Sequence, residues 1–144
     1  MNSAIATARK IYVDSNVIIY YIEGEEESQR LAERLFDHAE ARSIELVTSE
    51  IAIGECLYGA YKRGRSDSVE KFESLFEDVG LFRLVPVEAE TLKQAAKLGA
   101  AHGMKLIDAI HAATAIEAEC GVFVTNDRGI KSTEALRVVQ LPDV

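Results

Sequence analysis

The segment Lys10-Ile-Tyr-Val-Asp14-Ser-Asn16 joins a β-strand pattern to helix-capping residues. Its β-branched and aromatic residues favour an extended strand, and that strand ends at an acid. Ser15 and Asn16 then supply side chains of the kind that begin helices, and the apolar run 17–22 follows directly. We therefore predict a strand followed by a helix, with Asp14 at the junction.

The same order of strand and helix recurs along the chain. The other strand patterns lie at residues 45–47, 82–87, 122–125 and 137–140. The other helical patterns lie at residues 25–39, 51–59, 66–79, 88–101 and 106–120. Strands and helices that alternate in short units indicate a parallel sheet with helices on both faces. We predict an α/β fold with three layers, α/β/α, around a central parallel sheet of about four to five strands.

The composition limits the classes of protein to which the chain can belong. With 144 residues and 48% hydrophobic content, residues 1–144 are expected to form a single domain. The formal net charge of -8 argues against broad phosphate neutralisation, so any polyanion must be bound locally. The sequence has no long apolar run, and Cys56 and Cys120 lie far apart, which favours buried free thiols in a cytoplasmic protein.

Four acids occupy positions from which their side chains can meet. Asp14 ends the first predicted strand and Asp127 follows the fourth, so both belong to the carboxyl edge of a parallel sheet, where ligands bind. Glu55 lies inside a predicted helix and Asp108 near the start of another, and both can lean toward the same edge. We predict that these four carboxylates converge.

Converging carboxylates repel one another in a partly buried cleft and need a compensating charge. Oxygen ligands without histidine or cysteine favour Mg2+, with Mn2+ as a substitute, over zinc. A cation held in this way lowers the pKa of a bound water, orients a phosphate and stabilises the charge that develops during in-line displacement. The expected reaction is therefore phosphodiester hydrolysis.

Four motifs, in this order, resemble the PIN domain family. They are Val13-Asp-Ser-Asn16, Ser49-Glu-Ile-Ala-Ile-Gly-Glu55, Leu106-Ile-Asp-Ala-Ile-His-Ala-Ala-Thr-Ala115 and Val124-Thr-Asn-Asp127. The resemblance extends over nearly the whole chain, and the compact size is similar to that of VapC-type toxins of bacterial and archaeal toxin-antitoxin pairs. It implies a PIN-like, metal-dependent ribonuclease that is often a homodimer and is silenced by a cognate VapB-like antitoxin.

The resemblance assigns roles to the four acids. Asp14, Glu55 and Asp108 match the three core acids of the family pattern, and Asp127 matches a more variable fourth. All four are expected to be catalytic and to bind the metal, and Glu55 is also expected to help deprotonate the attacking water. Taken singly, Asp14 and Asp108 have an ordinary interpretation as helix caps, and Asp127 as a turn acid.

Two polar residues and a histidine accompany these acids. Asn16 and Thr125 are candidates to hydrogen-bond a carboxylate or a metal-bound water, although both also suit helix caps. His111 lies three residues after Asp108, a spacing that allows a D-x-x-H ligand pair. A packed or hydrogen-bonded histidine is the favoured interpretation.

A basic cluster follows the helix that carries Glu55. It consists of Lys62, Arg63 and Arg65. On an acidic protein this cluster is a candidate to guide an RNA backbone toward the metal, and a solvated loop is the alternative.

Two other functions remain open at this point. A magnesium-dependent phosphatase of the haloacid dehalogenase type also places an acid after its first strand, but its pattern is Asp-x-Asp, and Asn16 occupies the second of those positions here. A non-catalytic PIN-like module that binds RNA or protein is the other alternative. Four intact acids argue against it, because a scaffold has no need of an uncompensated negative pocket.

Overall fold

The central sheet has five strands, all parallel. The computed structural model describes residues 2–78 and 80–144. The strands are β1 (Lys10–Val13), β2 (Glu45–Ser49), β3 (Arg83–Val85), β4 (Val122–Thr125) and β5 (Arg137–Gln140). They are hydrogen-bonded in the order β3-β2-β1-β4-β5. The predicted α/β class and parallel sheet are confirmed.

Seven α-helices accompany the sheet in the described part of the chain. They are α1 (Ser3–Thr7), α2 (Ser15–Glu23), α3 (Glu26–Arg42), α4 (Ile51–Lys62), α5 (Ser66–Glu77), α6 (Ala89–His102) and α7 (Leu106–Glu117). Helix α1 was not predicted; it is short and begins where the Asn2 side chain accepts a hydrogen bond from the N–H of Ala4, at 2.8 Å. The predicted end of the helix 66–79 falls on Val79, which lies outside the described residues.

Alternating side chains of the strands divide the core into two layers. Ile11 and Val13 of β1 belong to one buried cluster, together with residues of α2, α3 and α5. Tyr12, between them, belongs to a second cluster with Phe123 of β4 and Ala112 of α7. Successive residues of a strand face opposite sides of the sheet, so helices cover both faces. The three-layer prediction is confirmed.

The strand order places a crevice beside β1. From β1 the chain proceeds to β2 and β3 on one side, whereas β4 and β5 lie on the other side. Adjacent parallel strands whose connections leave in opposite directions open a crevice at their carboxyl ends, and ligands bind there in such folds. The backbone N–H of Asp14 donates to the carbonyl of Val124 at 3.0 Å, which holds the ends of β1 and β4 together.

Two further expectations concern the cysteines and the membrane. Cys56 and Cys120 are both buried and free, as predicted. Within residues 2–78 and 80–144, no helix combines the length and the apolar character that crossing a membrane requires.

Candidate active site at the carboxyl edge of the sheet

Asp14 lies at the start of the crevice and is almost completely buried, with 3% of its surface exposed. Its Oδ1 atom accepts the N–H of Ser15 at 2.8 Å, so the side chain caps α2. Its Oδ2 atom accepts the hydroxyl of Thr125 at 2.7 Å and the amide N–H of Asn16 at 3.3 Å. Helix cap and site residue are therefore compatible interpretations of this carboxylate.

Thr125 and Asn16 connect the ends of β1 and β4. The Thr125 hydroxyl accepts the backbone N–H of Asp127 at 2.9 Å and the Asn16 side-chain N–H at 3.2 Å. The Asn16 Oδ1 atom in turn accepts the backbone N–H of Asn126 at 3.1 Å. Both residues predicted to support the carboxylates thus contact Asp14, and together they restrict its rotamer.

Glu55 reaches the same crevice from α4, where it meets His111 of α7. The His111 Nε2 atom lies 2.5 Å from Glu55 Oε1 and 3.7 Å from Asp14 Oδ1. The imidazole is buried, whereas the Glu55 side chain is 31% exposed. Since one nitrogen contacts both acids, Glu55 and Asp14 share one site. The favoured interpretation of His111 as a hydrogen-bonded histidine agrees with this geometry.

Tyr12 is a site residue that the sequence reasoning missed. Its hydroxyl lies 2.5 Å from His111 Nδ1, on the side of the ring away from Glu55. A signal was available, because a tyrosine in a strand that is buried on both faces must pair its hydroxyl. The D-x-x-H spacing pointed to His111, but no sequence pattern identified its two partners.

Asp108 lies in the first turn of α7 and is only partly buried. Burial raises the pKa of its carboxyl to about 6, and the negative charges of Asp127 and Asp14 contribute to the rise. The helix dipole favours an ionised acid in the first turn, so burial, together with the neighbouring negative charges, outweighs the dipole here. Asp108 therefore belongs with the other acids.

Asp127 completes the acidic group. Its Oδ1 atom accepts the N–H of Gly129 at 2.8 Å, which is the turn role considered for this residue. Its charge nevertheless acts on Asp108, as the raised pKa of that carboxyl indicates. Burial likewise raises the pKa of Asp14, and Glu55 adds to the rise, although His111 and Thr125 oppose it. His111 contacts both Asp14 and Glu55, and Asp108 lies within electrostatic range of Asp14 and Asp127.

The donor set suits a hard divalent cation. Among the described residues, no three acid, histidine or cysteine side chains already surround a single metal position. Mg2+ does not need such a cage, because it usually binds one or two carboxylates and retains several waters. Asp14 is the most deeply buried of the four acids, and its negative charge acts on Asp108. The residues therefore fit Mg2+ bound partly through water.

The predicted basic cluster separates into two environments. Arg63 binds Glu23 of α2, whose side chain is only 5% exposed, and Arg65 Nε lies 3.8 Å from the same carboxylate. Lys62 is exposed, and its Nζ atom lies 6.0 Å from the centre of the Tyr58 ring. Lys62 is thus the member of the cluster without a carboxylate contact among the described residues, and the assignment of all three to RNA stays a prediction.

We expect the stability of the metal-free protein to fall as the pH rises from 3.8 to about 6. Over this interval native Asp108 retains a proton that the unfolded chain has lost, so the native state is penalised progressively as the pH increases. Asp108→Asn removes the ionisable group and should flatten this part of the curve, measured by urea denaturation in EDTA. Asp37→Asn, on the exposed face of α3, should retain the wild-type slope. Parallel curves for wild type and Asp108→Asn would contradict the raised pKa.

A sheet of five parallel strands with carboxylates at its switch point defines an α/β protein with an acidic cleft. The chain belongs to the PIN domain family, whose sequence model matches residues 11–136. The resemblance drawn from the four motifs is therefore confirmed. No curated protein sequence matches this chain significantly.

Solved structures with this fold include several toxin-antitoxin proteins. A toxin-antitoxin complex from Klebsiella pneumoniae matches with a TM-score of 0.69 and 20% identity, over 93% of this chain and 99% of the other. VapBC2 from Rickettsia felis, bound to a DNA fragment from its promoter, matches with a TM-score of 0.68 and 17% identity, over 91% and 98%. VapC20 from Mycobacterium tuberculosis, a toxin that cleaves the sarcin-ricin loop, matches with a TM-score of 0.66 and 17% identity, over 78% and 86%.

Proposed function

We propose that this protein is a metal-dependent endoribonuclease, the toxin of a VapBC-type toxin-antitoxin pair that acts in the cytoplasm. The observation that supports the proposal is the meeting of Asp14 and Glu55 at His111, within electrostatic range of Asp108, at the switch point of a PIN fold. Residues 1–144 would form a single nuclease domain. A cation bound among these carboxylates would compensate their negative charge and could activate a phosphate beside them.

We assign different catalytic roles to the four acids according to their surroundings. Asp14 and Asp108 would hold Mg2+ or Mn2+, with Glu55 and Asp127 joining directly or through water. The bound cation supplies Lewis acidity to the scissile phosphate and lowers the pKa of a water. Glu55, the more exposed of the two acids that contact His111, would accept the proton of the attacking water. Asn16 and Thr125 keep the Asp14 carboxylate oriented.

RNA is the substrate that the neighbouring structures favour. VapC20 is described as cleaving the sarcin-ricin loop, which is RNA. The net negative charge of this chain means that the RNA backbone must be held locally. Lys62, at the end of the helix that carries Glu55, and the following Arg63 and Arg65 are the proposed basic group. A cut at a structured loop, rather than along any strand, is therefore proposed.

A cognate VapB-like antitoxin is the proposed protein partner, and a homodimer is the proposed assembly of the toxin. The Klebsiella and Rickettsia structures are toxin-antitoxin complexes, which supports a partner of this kind. A basic side chain of the antitoxin placed among the four carboxylates would neutralise them and displace metal or substrate. An antitoxin bound entirely away from Asp14 and Asp108 would contradict this mode of inhibition.

The chemistry of the cut ends tests the proposal. Attack by water leaves a linear phosphate on one product, whereas attack by the ribose 2′-hydroxyl leaves a 2′,3′-cyclic phosphate. We expect purified, antitoxin-free protein in Mg2+ to cut a structured RNA and to leave linear phosphates at early times. Protein with Asp14→Asn, purified in parallel, controls for contaminating ribonucleases. Cyclic ends, or no cleavage of any structured RNA, would contradict the proposed function.

A further inference from the structure

We propose that Tyr12 and His111 are positioning residues that anchor the Glu55 carboxylate at the edge of the acidic cleft. The proposal rests on the proposed function for the role of Glu55, and on a continuous chain of contacts for its geometry. The Tyr12 hydroxyl lies 2.5 Å from His111 Nδ1, and His111 Nε2 lies 2.5 Å from Glu55 Oε1. These contacts connect strand β1 to helix α7 and then to helix α4.

The hydrogen-bond partners of Tyr12 favour a proton on Nε2 of His111. The backbone N–H of Ser49 donates to the Tyr12 hydroxyl oxygen at 3.1 Å, and the Thr48 hydroxyl donates to the carbonyl of Val13 at 2.8 Å. The Tyr12 proton is therefore free to be donated to His111 Nδ1. With Nδ1 as acceptor, a neutral imidazole has its proton on Nε2, and Nε2 also carries a proton in the charged ring, so Nε2 donates to Glu55 in either case.

The Tyr12 and His111 rings, which hold the Glu55 carboxylate, are tightly packed in the core. The Tyr12 ring is fully buried and stacks on Phe123, with centroids 4.9 Å apart and planes 11° apart. The His111 ring is also buried and meets Tyr12 edge to face. Close-packed aromatic rings in a core have little rotational freedom. The position of Nε2 is therefore set by the core of the protein.

Glu55 needs such an anchor more than Asp14 does. Asp14 is held by three neighbours, Ser15, Asn16 and Thr125. The longer Glu55 side chain is 31% exposed, and within the described residues its hydrogen bond is the one from His111. Because Oε1 is occupied, Oε2 remains for a metal or a water. Without the hydrogen bond from His111, the Glu55 side chain would move freely in solvent. It would then lose conformational entropy each time it took up the position that catalysis requires.

Two substitutions of His111 separate its two contacts. In His111→Gln the amide nitrogen can take the place of Nε2 and donate to Glu55, whereas in His111→Asn the shorter side chain reaches only the Tyr12 side. We expect His111→Gln to retain most of the cleavage rate. His111→Asn should lower kcat about 10- to 100-fold and weaken Mn2+ binding to the RNA-free protein by about tenfold. His102→Asn, at an exposed histidine, is the matched control.

A double-mutant cycle shows whether His111 acts through Glu55. If it does, the double variant His111→Asn, Glu55→Gln should be no less active than Glu55→Gln alone, because the anchored group is already lost. Additive losses would assign His111 a general structural role and overturn the proposal. Where the His111 variants fail to fold, Tyr12→Phe tests the same chain, since it removes the partner of Nδ1 and should reduce kcat by a smaller factor.

A readout without metal or RNA separates this inference from the proposed function. Ring 15N NMR of the metal-free protein should show the His111 proton on Nε2, with its signal altered in Glu55→Gln. A proton on Nδ1 alone, or wild-type kinetics for His111→Asn, would overturn the anchor. A wild-type protein that shows the expected NMR signature but neither cuts RNA nor binds Mn2+ would instead contradict the proposed function.

Discussion

Asp14→Asn is expected to lower RNA cleavage by roughly a thousandfold or more, because several kcal/mol of transition-state stabilisation depend on a correctly held cation. The substitution removes the negative charge of a buried carboxylate that lies 3.7 Å from His111 Nε2, next to Glu55. It changes the shape of the side chain very little. Single-turnover cleavage of a structured RNA in Mg2+ measures the effect, and unchanged cleavage would remove the mechanism.

The Asp14→Asn protein should remain folded, which makes the loss of activity interpretable. Asparagine still offers an oxygen to the N–H of Ser15 and so can continue to cap α2. It also relieves the cost of burying a carboxylate whose pKa burial raises. The amide nitrogen, however, meets the donors of Thr125 and Asn16, which offsets part of this relief. We therefore expect the Tm in EDTA to stay close to that of wild type. Asp37→Asn on the exposed face of α3 should retain both Tm and activity.

Removal of divalent cations is expected to abolish cleavage, and Mg2+ or Mn2+ should restore it. Burial, together with repulsion from neighbouring acids, raises the pKa of Asp14 and of Asp108, so a bound cation should also stabilise the fold. A ligand at a hundredfold excess over its Kd stabilises a protein by about 2.7 kcal/mol. Thermal denaturation with and without Mg2+ measures this gain, which Asp14→Asn should lose.

Hexamminecobalt(III) distinguishes coordination from charge screening. Its ammonia ligands do not exchange, so it can neutralise the cleft but cannot activate water or bind the phosphate directly. We expect it to support no cleavage while Mg2+ does. Full activity in EDTA after exhaustive dialysis, or equal activity with hexamminecobalt(III), would show that the acids serve another purpose.

The strands and helices whose bounds were predicted most accurately are those whose bounds depend on neighbouring residues. The strand 122–125 is buried and flanked by Gly121 and Asn126, and its predicted bounds coincide with β4. The predicted strand 82–87 shortens to Arg83–Val85, since Pro86 cannot donate to the ladder. Helix α1 escaped prediction because a five-residue helix has almost no periodicity to detect.

Some features of the candidate site could likewise be predicted from the sequence, and others could not. Asp14 and Asp127 were assigned to one edge from topology alone, because parallel strands end on the same side of a sheet. The meeting of Glu55 with Asp14 was less certain from sequence, since the direction of a helix over a sheet depends on packing. His111 settles it in the structure by contacting both carboxylates.

Local chemistry along the chain was sufficient to predict the alternation of strands and helices and the parallel sheet, because hydrophobic period and strand ends are properties of neighbouring residues. The resemblance of four motifs to the PIN domain family added the four acids as candidates. Only the folded structure revealed that Tyr12, His111 and Glu55 form one hydrogen-bonded chain, and that Glu23 binds Arg63 and Arg65. These contacts join residues far apart in sequence. Their distances depend on how α4 and α7 pack against β1, which no local pattern encodes.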